Sequence, residues 1–129
     1  MATKVFAELF SKSGKKEKTM NIIGQEIHIV IERPLGSTHP KHKNIKYEVN
    51  YGYTPDFMGG DGEEQDVYLL GYDAPINETY ATVIAVIHRL DDNEDKWVAA
   101  PSGTTFTSDE IMQTVNFQEK FFKSELIMS

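Results

Sequence analysis

What most constrains this chain is a series of short segments with two-residue periodicity, separated by turn residues and followed by a single well-capped helix. From Glu26 to Arg33, Ile27, Ile29 and Ile31 fall on one face and His28, Val30 and Glu32 on the other. That alternation is the pattern of a half-buried strand. Pro34-Leu35-Gly36-Ser37 ends it, and residues 38–44 form a polar loop containing His39 and His42. Strand-like segments recur at 46–51, 66–71, 82–88 and 96–100. Five short strands with turn-rich connections predict a mainly β chain with some helix (α+β), folded as a small five-stranded, OB-like antiparallel barrel.

The C-terminal segment carries the helix. Thr107 is a good N-cap, and Glu110 three residues on completes a capping box. Ile111, Val115, Phe121 and Phe122 supply an apolar face for packing on the barrel, with Lys120 and Lys123 expected in the last turns, where cations suit the helix dipole. At the other end, Val5, Phe6, Leu9 and Phe10 have helical spacing and precede a Lys-rich polar stretch. Residues 1–20 therefore read as an extension, a short helix plus linker, ahead of a barrel domain at 21–129.

The chain has 129 residues and a formal charge of −7, with 40% hydrophobic and 26% charged residues, which suits one globular domain rather than a disordered chain. It has no Cys, so disulfides and thiolate metal sites are excluded. No apolar run approaches a membrane span, and the N-terminus lacks a signal-peptide core; a cytoplasmic location is the expectation. The charge is unevenly placed. Residues 56–95 hold 11 acidic residues and one basic residue, Arg89, for a net of −10. Nucleic-acid and anionic-membrane partners need basic surfaces, so this block argues against both.

The acids fall into two groups, Asp61, Glu63, Glu64, Asp66 and then Asp91, Asp92, Glu94, Asp95. Two solvated turns are one reading. The other is a divalent-cation site, because glycines at 59, 60 and 62 let the chain turn tightly and bring Asp61, Glu63 and Asp66 toward one point. Hard oxygen ligands suit Mg²⁺, which phosphates commonly bridge, and neither group has calcium-loop spacing. The residues nearby are types that bind phosphate: Arg33 with its planar fork, Lys96 just after the second group, and Tyr47, Tyr51 and Tyr53, which alternate along the chain. His39 and His42 are loop residues able to meet a phosphate, and with no Cys or third His beside them a zinc site is not expected.

Asn50-Tyr51-Gly52-Tyr53, then Asp61-Gly62-Glu63-Glu64-Gln65-Asp66-Val67, then an acidic turn leading into Lys96-Trp97-Val98-Ala99-Ala100-Pro101 resembles the soluble, magnesium-dependent inorganic pyrophosphatases of the barrel-fold type, in a compact bacterial form. The likeness runs from Ile27 to the C-terminus. It implies Mg²⁺, with Mn²⁺ as a substitute, held by Asp61, Glu63, Asp66, Asp91 and Asp95. It implies Glu63 or Asp66 as the group that orients or deprotonates the attacking water. Arg33, Tyr47, Tyr51, Lys96 and Lys123 would bind the phosphoryl groups, with Lys96 also stabilising the leaving phosphate. Three features depart from the family: Glu63 and Glu64 stand where it has Asp and Pro, its upstream hairpin has no counterpart before Glu32, and Phe121-Phe122-Lys123 replaces a Tyr-Lys pair.

The resemblance thus implies Mg²⁺-dependent hydrolysis of pyrophosphate, or of another small phosphoanhydride, to orthophosphate, by a chain for which homo-oligomer assembly is open. The alternative is a module of this family that binds metal and phosphate without turnover.

Overall fold

The structure, a computed structural model, describes residues 21–92 and 94–128. The extension expected at residues 1–20 lies outside the described residues. Among the described residues six strands and one helix follow in chain order: β1 Glu26–Arg33, β2 Asn50–Met58, β3 Glu64–Leu69, β4 Glu78–Arg89, β5 Asp95–Ala100, α1 Ser108–Glu119 and β6 Ser124–Ile127. The sheet runs β1-β2-β3-β5-β4, and a further β1–β4 pairing closes it into a five-stranded barrel; β6 adds to β4 outside the closure. The pairings are antiparallel except β3–β5, which is parallel, so the expected barrel is present with a mixed rather than fully antiparallel sheet. Long β4 makes closure possible, pairing β1 through Glu78–Thr82 and β5 through Thr82–His88.

Two apolar clusters lie on opposite faces of this sheet. Ile27, Ile29, Val67, Leu69, Val83 and Ala99 belong to the one inside the barrel. Tyr51, Tyr68, Leu70, Ile87, Val98 and the helix residues Ile111, Val115 and Phe117 form the other, between the barrel wall and α1. Successive residues of β3 alternate between the two, as strand geometry requires. Gly52 permits the tight approach of β1 and β2, since a Cβ there would lie 1.9 Å from the carbonyl oxygen of Val30.

Two irregularities in pairing aim the functional face. On β1, Ile31 pairs with Gly52 but Arg33 pairs with Tyr51, so one extra residue intervenes. Arg33 would otherwise share the inward face of Ile29 and Ile31; the bulge turns it to the side of Tyr51. On β4, Val83 pairs with Ala99 and Ala85 with Val98, and this shift puts Ala85 and Ile87 in the helix-side cluster although Val83 lies inside the barrel. Arg89, two residues beyond Ile87, follows to that side.

The sequence expectations differ from the structure at two ends. Residues 46–49 precede β2 and track the loop after β1, with Tyr47 N–H bonded to Ser37 O and Gly36 N–H to Tyr47 O. Helix α1 begins with the expected capping box, Thr107 and Glu110 satisfying each other's backbone N–H. It stops at Glu119 with Lys120 as C-cap, so Lys123 lies beyond the helix, at the entry to β6. No helix among the described residues is long and apolar enough to cross a membrane.

Candidate phosphate-binding site

On the helix side of the barrel a cavity of about 470 Å³ opens between the β1–β2 loop, the strand ends and the segment after α1. Arg33, Arg89 and Lys96 line it, with His39, His42, Tyr51 and Gln118; Glu32 and Asp66 are its only acidic lining residues among those described. Phe121 and Phe122 form one wall.

Lys96 comes from β5 and its side chain is 6% exposed. Its Nζ donates to Asp66 Oδ2 at 2.5 Å and to Glu94 Oε1 at 2.7 Å, and lies 6.0 Å from the Tyr51 ring centroid. Burial works against the ammonium charge, but the Tyr51, Asp66 and Glu94 oxygens outweigh it and hold the pKa above that of an ordinary lysine. Tyr51 is held in its neutral form chiefly by burial.

Arg89 is anchored more deeply. Its Nε and Nη2 donate to Glu119 Oε1 and Oε2 at 3.2 and 2.7 Å, and its guanidinium carbon lies 3.6 Å from the Phe122 ring centroid. Burial opposes this charge too, yet the bidentate carboxylate raises the pKa above the usual arginine value. Burial likewise pushes Glu119 upward, and hydrogen bonds from Arg89, Tyr68 and Ser124 reverse that, leaving its carboxyl below the ordinary 4.5.

One continuous chain of hydrogen bonds joins the two arginines. Arg33 Nη1 donates to Tyr47 Oη at 2.5 Å, Tyr47 to Gln118 Oε1 at 2.7 Å, Gln118 Nε2 to Tyr68 Oη at 2.8 Å, and Tyr68 to Glu119 Oε2 at 2.6 Å. Every donor points the same way, toward the carboxylate that Arg89 neutralises. Such a chain is mutually polarised, and its buried members have few alternative positions. At the mouth, His39 lies 6.3 Å from the Tyr47 ring and 4.8 Å from His42. Burial first, then the charges of Arg33, His42 and Lys41, lower the His39 pKa from 6.5.

Of the residues expected from sequence to bind substrate, Arg33, Tyr51 and Lys96 meet at the cavity with Asp66, and Tyr47 stands behind Arg33. Lys123 is exposed and outside the cavity lining; its backbone N–H donates to Asp91 Oδ2 at 3.3 Å. The five acids expected to hold Mg²⁺ do not converge. Asp61 is exposed and caps its own turn through the Glu63 N–H at 3.0 Å. Asp95 faces His88 at 2.7 Å, on the opposite side of β5 from Lys96. Asp66 is taken by Lys96, and Glu63 and Asp91 point from exposed turns. Among the described residues no three of His, Cys, Asp and Glu form a group able to hold a metal ion.

The reason is local: the glycine turn at 59–62 projects Asp61 and Glu63 outward, while strand alternation separates Asp95 from Asp66. This donor set does not fit a preformed multi-carboxylate site. Arg89, Gln118 and Glu119 are parts of the site that the sequence reading did not assign. The one basic residue in a strongly acidic block was the available signal for Arg89. Glu119 sits at the C-terminal end of a helix, an unfavourable place for an acid unless a cation covers it.

A barrel with helix α1 packed on it, and a cavity lined by cations between them, defines the architecture, and solved structures give it a known counterpart. No family model and no curated protein matches the sequence. The fold is that of bacterial inorganic pyrophosphatases. The Ehrlichia chaffeensis enzyme superposes with a TM-score of 0.64 and 18% identity, covering 85% of this chain and 90% of its own. The Neisseria gonorrhoeae enzyme gives 0.63 and 22%, covering 81% and 83%. That of Coxiella burnetii gives 0.58 and 15%, covering 82% and 86%.

Proposed function

We propose that the cavity binds inorganic pyrophosphate, or a small phosphoanhydride like it, and that the chain hydrolyses it to orthophosphate. The observation that carries this reading is the meeting of Arg33, Arg89 and Lys96 with Asp66 in one cavity, on a fold shared with pyrophosphatases. Fixed cations suit the spread negative charge of a phosphoryl group in transfer, where positioning and electrostatics supply most of the rate. Arg33 and Lys96 bind phosphoryl oxygens, and the Tyr47 hydroxyl fixes the reach of Arg33. Asp66 is the carboxylate placed to take a proton from the attacking water. The water oxygen bonds to one phosphorus, the bridging P–O bond breaks, and the departing oxygen leaves as orthophosphate beside Lys96.

Mg²⁺, or Mn²⁺ in its place, is the ion expected for this chemistry. The acids present among the described residues do not fit a preformed site for it. Binding without turnover is the second reading. It is favoured by the engagement of Asp66 and Glu94 with Lys96, which leaves few carboxylate oxygens free.

Orthophosphate release from pyrophosphate, measured with Mg²⁺, with Mn²⁺ and with chelator, separates the two. Steady release that falls at least 100-fold in Asp66→Asn supports hydrolysis. Release at background under every condition rejects it. Thermal stabilisation by pyrophosphate without release then supports the binding module.

A further inference from the structure

We infer that this site binds a small phosphate anion without a divalent ion, using Arg89 as a built-in cation where the acidic turn would otherwise call for a metal. The inference rests on the anion-binding reading of the cavity and goes beyond it by assigning the charge that neutralises the ligand.

Three observations carry it. First, Asp66 in the cavity lining and the acids of the 92–94 turn behind it already have cationic partners inside the chain, which leaves Glu32 as the lining acid outside these pairs. Asp66 and Glu94 both contact Lys96, and Asp92 and Glu94 lie 3.5 and 3.8 Å from Arg89 Nη1. A divalent ion between these acids would have to displace an ammonium and sit beside a guanidinium. At such separations like charges repel strongly in a partly buried setting.

Second, the cations are held in place by groups other than the ligand. Glu119 takes one edge of Arg89 through Nε and Nη2, Phe122 covers its face, and the relay through Tyr68, Gln118 and Tyr47 fixes Arg33 in turn. Binding therefore costs little side-chain ordering.

Third, the two arginines that line the cavity keep donors outside close hydrogen bonds. Lys96 is engaged by Asp66, Glu94 and the Tyr51 oxygen and contributes its charge rather than a free proton. Arg33 makes one side-chain hydrogen bond among the described residues, through Nη1, leaving Nε and Nη2. Arg89 Nη1 makes none; its nearest acids are farther than a strong charged hydrogen bond would be. Several donors on cations held in place are what a multiply charged phosphate needs, and the lining carries three such cations, Arg33, Arg89 and Lys96, against two acids, Glu32 and Asp66.

Isothermal titration of the full chain with sodium pyrophosphate, in chelator and then in excess Mg²⁺, tests this. Saturable binding in chelator, within about tenfold of that in Mg²⁺ and weakening steeply with added salt, is the expected result. Arg89→Gln/Glu119→Gln, which removes both charges together so that neither is left buried alone, is expected to weaken chelator-phase binding at least tenfold. In the wild type, the Arg89 guanidinium NMR signals are expected to shift during the same titration, a readout that needs no variant to fold. Binding only in Mg²⁺ overturns the inference and leaves the anion-binding reading intact. Binding in neither condition overturns both. Unshifted Arg89 signals, or a folded double variant that binds as wild type does, reject Arg89 as the ligating cation.

Discussion

Glu119→Gln is the most informative single change for the buried frame. The Glu119 side chain is 1% exposed and accepts from Arg89 Nε, Arg89 Nη2, Tyr68 Oη and Ser124 Oγ at 3.2, 2.7, 2.6 and 2.7 Å. Gln preserves the shape but carries one acceptor oxygen, so its amide nitrogen faces donors that can no longer donate to it. Breaking a buried ion pair by neutralising one partner costs about 3–5 kcal/mol. Losing two charge-assisted hydrogen bonds at about 1.5–3 kcal/mol each gives about the same total. With a urea slope of about 2 kcal/mol per M, the unfolding midpoint should drop by about 1.5–2.5 M.

The pH dependence carries a matching signature. Glu119 has a folded pKa below its ordinary 4.5, so as pH falls the unfolded chain takes up the proton first. The stabilisation it supplies is full above pH 4.5 and is lost as pH drops toward the folded value; Glu119→Gln should lack this part of the acid sensitivity. Arg89→Met/Glu119→Met, which removes both charges together, should recover most of the lost stability, because an apolar pair leaves neither charge stranded. Urea unfolding followed by circular dichroism at pH 7 and in steps down to pH 3 measures all three proteins. A midpoint drop under about 0.5 M for Glu119→Gln, or a Met pair no better than Glu119→Gln, would refute the ion-pair reasoning.

Two other substitutions test the fold around the site. Tyr68→Phe removes the hydroxyl that links Gln118 to Glu119 in a fully buried position. It should cost about 1.5–3 kcal/mol by chemical denaturation, and an unchanged midpoint would show that the relay is not intact in solution. Gly52→Ala forces a methyl group against the Val30 carbonyl oxygen, so β1 and β2 must separate; a loss of about 1–3 kcal/mol or failure to fold is expected, and wild-type stability would contradict the close crossing.

How much was legible in advance differs from residue to residue. Thr107 and Glu110 are readable because a cap is made within four residues, and the alternation of Ile27, Ile29 and Ile31 is likewise complete in eight. Arg33, Tyr51 and Lys96 were identifiable as phosphate-binding types from their chemistry and order. The metal set was not, since whether Asp61, Glu63, Asp66, Asp91 and Asp95 converge depends on turn direction and strand face. Both are decided by pairing with distant segments. Lys96 itself takes Asp66 out of that set from thirty positions away.

The sequence by itself determined the inventory and the periodicities: a barrel with one capped helix, an acidic block around a lone Arg89, and a few cations of the right type. Those properties are local, written in spacing and composition. Only the tertiary structure decided what the charges do. The bulge after Ile31 turned Arg33 toward the cavity and the shift after Val83 brought Arg89 there, while the end of α1 buried Glu119 beneath it. Because a one-residue change of register reverses every side chain that follows, two small irregularities set by long-range pairing determined whether this acidic chain presents an acidic or a cationic pocket.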